Sequence, residues 1–481
     1  MFCHIESAHA VDYPFSVTTS SIAANGTFTF NLSPKGTFYV DCGTGGTLSG
    51  TGVSGTTITK SDTTKYTYTC TYSSAGTKTI RFGGMATAYN TDSYTEAIRF
   101  YVQNSDSVYS STLISSISGN LSTIFPNNGT AVGYHPIFYY TFRQAPITSI
   151  PATLFSGYTS GGVSMFYGTF YNCTSLTSIP ETLFNFGGNN VSGQSYMFDN
   201  TFAYCTRLQS IPANLFQRVT SSALYLFYGT FQYCEGLLSI PETLFNFGGN
   251  NVSGQNSMFS ITFKCCYSLQ SIPENLFRRV TSAAMFLFSS TFIYCYALSG
   301  YIPPSTFAGL VANNHPTANY MWSSTFFKTQ LATSCPAGTT QYITGYESSW
   351  DGKVSCQPNT YTITYACGSG GGNAPTTNTS ATYYSDFTPA ENTCIAPTGY
   401  HFSGWLVSGT SYVISVLTFK WIYTENKTFT AQYTANAISM KWDGSYTTPS
   451  SCTYGSTFVP PTPDARPGYV FAGWKVKTVN P

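Results

Sequence analysis

Charge is what this sequence lacks most. Lys and Arg number 20 and Asp and Glu 19 in 481 residues, so 8% of side chains are charged and the net charge is +1. An average soluble protein carries roughly a quarter. So thin and balanced a charge excludes the basic field that nucleic acid requires and the acidic field of a cation store. Long apolar runs are missing too. No stretch of about 18 apolar residues occurs, which predicts no membrane-spanning helix. Catalytic spacings are absent: there is no His-Glu-x-x-His, Gly-x-Ser-x-Gly, P-loop or Rossmann glycine pattern. The run Gly368–Gly372 is followed by neither a lysine nor a helix start. The five histidines (4, 9, 135, 315, 401) are scattered, and none of the 14 cysteines lies in a Cys-x-x-Cys. No metal-ligand set, no cofactor and no enzyme activity are therefore expected.

Aromatics and repetition take the place of charge. There are 38 Tyr and 37 Phe, and hydrophobic residues make up 42% of the chain, too many for a disordered one. Thr-Phe recurs at Thr141, Thr169, Thr201, Thr230, Thr262, Thr291 and Thr325, at intervals of 28, 32, 29, 32, 29 and 34. Cys173, Cys205, Cys234, Cys266 and Cys295 follow four residues after the threonine, and Ser-Ile-Pro follows from Ser149, Ser178, Ser210, Ser239 and Ser271. Segments 178–194 and 239–255 are identical, so the array grew by tandem duplication of a unit pair. Units this small cannot bury their apolar residues alone and must stack on one another. A solenoid with parallel strands is expected, each strand flanked by residues such as Leu176 and Ile179 and stopped by Pro180. Met165, Phe166 and Phe170 would fill the interior, and the cysteine column would hold buried thiols or, alternatively, disulfides between units.

The pattern Thr169-Phe170-x-x-Cys173-x-x-Leu176-x-x-Ile179-Pro180 resembles the leucine-rich repeats of BspA-like bacterial surface proteins, with Thr in place of Ala and a longer period. The match covers roughly residues 137–327. The longer period implies inserted loops at one edge, Gly187–Gln194 and Gly248–Gln255. Asn189, Asn190, Gln194, Asn250, Asn251 and Gln255 there are candidates for hydrogen bonds to a sugar or a peptide backbone; the other reading is a turn in which Gly and Asn supply positive φ. Thr177, Gln209 and Gln270 are expected as an outward polar ladder suited to binding, where a hydrophobic face would suit self-association. Glu181, Glu242 and Glu274 would decorate the edge and pair with Arg218, Arg278 and Arg279.

The flanks read as separate modules, which makes the whole chain mainly β and multidomain. Residues 11–103 alternate in short strands with Gly-rich turns, as in a β-sandwich. Phe38-Tyr-Val-Asp41-Cys42-Gly43 and Ala75-Gly76-Thr-Lys-Thr-Ile80 resemble segments of PKD-like domains, with Cys42 replacing the usual Trp. The array then occupies 104–332 and a Cys-bounded connector 333–358. Residues 359–435 resemble an internalin B-type repeat, with Gly399-Tyr-x-Phe-x-Gly-Trp405 and a closing Ala431-x-Tyr433, which implies a β-grasp-like module. A second copy, 436–481, reaches Gly468-Tyr-Val-Phe-Ala-Gly-Trp474. Trp405 and Trp474 are read as core residues or as platforms for a sugar ring. Ala8-x-Ala10 reads as the end of a signal peptide spanning 1–10. In a secreted chain Cys42/Cys70, Cys335/Cys356 and Cys367/Cys394 are disulfide candidates. The expected function is non-enzymatic: an adhesin-like secreted or cell-surface protein whose partner is a protein or glycan of a host or neighbouring surface. The alternative is a structural stalk or a self-associating surface layer.

Overall fold

A computed structural model of the chain describes residues 11–313, 317–343, 348–415, 417–443 and 446–477. The signal-peptide reading of 1–10 lies outside these residues. The chain is mainly β, with several separate sheets, and forms two compact units. The first comprises residues up to Cys335 together with Gln341–Gln357, and the second comprises Pro336–Thr340 and the residues from Pro358 onward.

The first unit begins with two antiparallel sheets. Alternation of apolar and polar residues makes the strands β1 (Phe15–Thr19), β2 (Thr27–Leu32), β3 (Lys35–Asp41), β4 (Gly46–Ser49), β5 (Val53–Ser54), β6 (Thr57–Lys60), β7 (Tyr66–Tyr72), β8 (Thr79–Ala88), β9 (Ile98–Arg99) and β10 (Ile114–Gly119). One sheet runs β10-β1-β8-β3-β6-β5 and the other β4-β7-β2-β9. Phe30 of one meets Phe82 of the other edge to face at 5.2 Å, and a Cys42–Cys70 disulfide ties the end of β3 to β7. Strand β10, which pairs Phe15 with Gly119, extends this sheet into the stretch 104–332 assigned to the array. Asp41 is a turn residue: its Oδ1 accepts the Gly43 N–H at 2.8 Å, and its Oδ2 pairs with Arg81.

The repeats stack, but not through the strands expected. Between Leu176 and Ile179 a single backbone bond, Thr177 N–H to the Thr148 carbonyl at 3.3 Å, reaches the previous unit, and the Thr177 hydroxyl donates to the same carbonyl. That is too few for a ladder, because Pro180 removes a following donor. Among the described residues of the array, Ser299–Gly300 and Gln330–Leu331 pair as parallel strands, and single parallel bridges join Val191 to Val219 and Val252 to Val280. Most inter-unit bonds lie instead on the Met-Phe-x-x-Thr-Phe-x-x-Cys stretch, where donors alternate. Ser164, Phe166, Gly168, Phe170 and Asn172 donate N–H to Ser195, Met197, Asp199, Thr201 and Ala203 of the next unit at 2.7–3.0 Å. Met165, Tyr167, Thr169, Tyr171 and Cys173 donate instead to the carbonyl three residues back at 3.0–3.2 Å. This satisfies every N–H of the stretch, as burial demands. It requires a positive φ at each fourth residue, at Ser164, Gly168 and Asn172 here and at Tyr196, Asn200 and Tyr204 in the next unit.

This geometry explains the recurring residues. The Thr201, Thr230 and Thr262 hydroxyls are buried and donate to the Phe166, Phe198 and Phe227 carbonyls of the preceding unit at 2.8–2.9 Å. Each repeat cysteine does the same one step along, Cys173 to Phe142 at 3.2 Å and Cys234 to Phe202 at 3.3 Å. The phenylalanines stack in register: Phe142, Phe170, Phe202, Phe231, Phe263, Phe292 and Phe326 lie 5.5–5.8 Å apart. Phe100 and Phe15 close this column at one end, and Trp350 closes it at the other. The apolar core is therefore continuous from the two-sheet region to Trp350. A second disulfide, Cys335–Cys356, lies beyond the last repeat.

The second unit contains a five-stranded sheet in which Lys427–Ala435 lies between Thr360–Ala366, parallel to it, and Tyr400–Val407, antiparallel. Trp405 is fully buried and donates its indole N–H to the Ala390 carbonyl at 3.0 Å, so it is a core residue and no platform. Cys367 and Cys394 form the third disulfide.

Candidate functional site

The inserted loops are built as turns. Gly187 and Gly188 have φ of 61° and 84°, and Gly248 and Gly249 have 62° and 90°. Asn189 is exposed and folds its Nδ2 back onto the Phe186 carbonyl at 3.1 Å; Asn250 sends its Nδ2 to the Thr220 carbonyl at 3.2 Å. Asn251 accepts from Arg279 at 3.4 Å, and Asn190 is exposed. Gln194 and Gln255 are half-buried, their carbonyls taken by Met197 and Met258 N–H. Thr177, Gln209 and Gln270 are exposed, but Leu238, 47% exposed, occupies the same column between the two glutamines. The ladder is thus polar with one apolar step. The expected Glu–Arg pairs are absent among the described residues. Glu181 accepts from Asn214 at 2.6 Å and Glu242 from Asn275, while Arg218 and Arg279 donate to Asn185 and Asn246 at 3.3 Å. The amides of the next unit reach these carboxylates before the longer guanidinium stems do.

The side chains that the stacking does gather are tyrosines. Tyr140 meets Tyr171 at 5.3 Å, Tyr171 meets Tyr204 at 5.1 Å, and Tyr204 stacks on Tyr233 at 4.4 Å with planes 8° apart. Tyr267 and Tyr296 continue along the array at 5.5 Å. A second row carries Tyr94, Tyr139 and Tyr167, then Tyr196 stacked on Tyr225 at 4.7 Å. Tyr140, Tyr171, Tyr204 and Tyr233 are half-buried, so one ring face packs and the rest is wet. Burial pushes the Tyr140 phenol up to about 12 and raises Tyr171 and Tyr204 as well, which keeps the ribbon uncharged at neutral pH. The signal was present in the sequence as a Tyr one or two residues before four of the five repeat cysteines, in Tyr171-Asn-Cys173, Tyr204-Cys205, Tyr233-Cys234 and Tyr294-Cys295, while Cys265 precedes Cys266.

Inside the ribbon lies one polar network. Asp199 is 3% exposed and accepts the Asn200 Nδ2 at 2.6 Å, and Asn200 accepts the Gln232 Nε2 at 2.5 Å. Burial drives the Asp199 carboxyl well above the usual carboxylate range. The repeat cysteines are chemically quiet. Burial pushes Cys205 up to about 12 and raises Cys173, Cys234 and Cys266 well above the ordinary thiol value, so the thiolate is suppressed. They are thiols, not inter-unit disulfides.

No group of three or more His, Cys, Asp or Glu able to hold a metal occurs among the described residues, and no helix there is long and apolar enough to cross a membrane. No family model, curated protein or solved structure matches the chain. What the chain can do is therefore argued from the ribbon itself. It offers flat apolar ring faces and uncharged hydroxyls, groups that can stack on and hydrogen-bond to a ligand.

Proposed function

We propose that this chain is a non-enzymatic secreted or cell-surface binding protein, adhesin-like, that presents its repeat array to a glycan or protein of a host or neighbouring surface. In this reading the array is a leucine-rich solenoid of the kind found in BspA-like surface proteins, and the flanking modules space and present it. The tyrosine ribbon carries the reading. Ring faces stack on the C–H faces of sugars while the hydroxyls exchange hydrogen bonds with theirs, and few charges means little salt steering. The three disulfides suit an oxidising compartment.

The test is a glycan-array and mucin-binding screen of the full chain beside Tyr204→Ala/Tyr233→Ala. Binding that falls about tenfold or more in the double variant, while Asn189→Ala/Asn250→Ala binds as before, supports the ribbon. Loss in the asparagine variant alone returns the site to the loops. A stalk or self-associating layer is the second reading, favoured by exposed Leu238 in the otherwise polar column. It predicts concentration-dependent assembly in sedimentation velocity and no saccharide binding.

A further inference from the structure

The ribbon starts at a cation, Arg143, that pairs with no carboxylate among the described residues. The Arg143 guanidinium lies 4.5 Å from the ring centre of Tyr101 and 5.0 Å from those of Tyr140 and Tyr171. Tyr101 is itself stacked flat on Tyr109, 3.9 Å away with planes 4° apart. Three rings thus hold the guanidinium from the sides, in the geometry that favours a cation over a π face. The Arg143 Nε is buried without a hydrogen-bond partner, and the side chain is half-buried as a whole, so its terminal amino groups are what reaches solvent.

The charged groups around this cage leave it positive. Arg99 acts, as Arg143 does, on Tyr101 of the cage and on Tyr139 beside it. Glu96 is buried and already engaged: its Oε1 accepts from Asn31 at 3.1 Å and lies 3.6 Å from Arg99 and 4.0 Å from Lys65. Asp199 acts on Tyr140, but burial favours its neutral form. Every other aromatic step of the ribbon is far poorer in charge. Lys264 over Tyr233 at 5.8 Å and Lys328 over Phe327 at 5.5 Å are its other cations. One caged guanidinium and two widely spaced lysines do not suit a polyphosphate chain, which needs closely spaced cations along its length.

We propose that Arg143, caged by Tyr101, Tyr140 and Tyr171, reads a single acidic sugar, carboxylate- or sulfate-bearing, at the end of a glycan whose neutral residues lie along the tyrosine ribbon. The planar fork of arginine matches a carboxylate or a sulfate with two parallel N–H bonds, and the ring cage orients it before the ligand arrives. The proposal rests on the glycan reading of the ribbon and adds the class of the terminal residue.

The experiment is an array of matched glycans, the same core in neutral, sialylated and sulfated form, probed with the full chain and with Arg143→Gln and Arg143→Lys. The wild-type chain is expected to bind at least one acidic member about tenfold more tightly than its neutral partner, with the excess shrinking as salt rises. Whether the sialylated or the sulfated member gains identifies the anion. Arg143→Gln should erase the excess of acidic over neutral binding, and Arg143→Lys should restore only part of it. Equal binding of neutral and acidic members by the wild type overturns the proposal and leaves the ribbon standing, a result that needs no variant to fold. Saccharide binding that is wholly absent overturns both readings, and preference for nucleic acid or for protein overturns the acidic-sugar assignment.

Discussion

The two-sheet region and the repeat array belong to one compact unit, yet they satisfy their backbones in different ways. In the first, β2 pairs antiparallel with β7 from Thr27 to Leu32, and alternate residues exchange hydrogen bonds with that neighbour. In the second, every other N–H goes to the next repeat and the rest turn back three residues. Cysteine follows the same division. Cys42 and Cys70 form a disulfide between strands of different sheets, whereas Cys173 to Cys295 remain thiols that donate to a Phe carbonyl of the preceding repeat. The difference teaches that a residue repeated down a stack serves the neighbouring unit, while one that occurs once serves its own fold.

The sharpest way to break that comparison is Phe231→Ala. Phe231 is fully buried between Phe202 and Phe263, so the variant should lose about 3–5 kcal/mol in denaturant unfolding. Hydrogen exchange should accelerate in the repeats on either side while β2 and β8 keep their protection. Equal loss of protection in β2 would mean that the array and the two-sheet region melt together, and the nearest-neighbour description would fail.

Thr230→Val tests the hydroxyl ladder at nearly constant volume. Its Oγ1 donates to the Phe198 carbonyl at 2.9 Å, so about 1–2 kcal/mol should be lost, and Thr230→Ser should recover most of it. A silent Thr230→Val would show that the recurrence of threonine needs another cause.

Asp199→Asn tests the one buried acid of the array. Its folded pKa is raised above the unfolded value near 3.8, so its stabilising share is complete below that value and is lost as pH rises through the folded pKa. The variant should therefore melt higher than the wild type at pH 7, by about 1 kcal/mol, and the gain should vanish below pH 4. Thermal melts across that range check the sign, and a gain that persists in acid would refute the burial argument.

The smallest effect is expected at Ile261. It takes a positive φ of 50° in a column otherwise filled by Tyr140, Gly168, Asn200, Gly229, Ser290 and Ser324, none of them β-branched. A β-branched residue is strained there. Ile261→Asn should stabilise by about 0.5–1 kcal/mol, read as a shift in denaturant midpoint without a change of slope.

The sequence by itself determined the period of the array, the inward Phe, Met, Leu and Ile positions and the alternation of the two-sheet strands, because apolar spacing dictates which side chains leave water. The hydrogen-bond route within each repeat was not legible. Positive φ falls on Tyr196, Ile261 and Cys265 as readily as on Gly168, so no residue type announces it. Nor did the loops and the Thr177 column turn out to gather side chains as the tyrosines do. Tyr171, Tyr204 and Tyr233 are 33 and 29 residues apart along the chain and within about 5 Å in space. Only stacking decides that, because ring-to-ring contact depends on the register between units, which local preference does not encode.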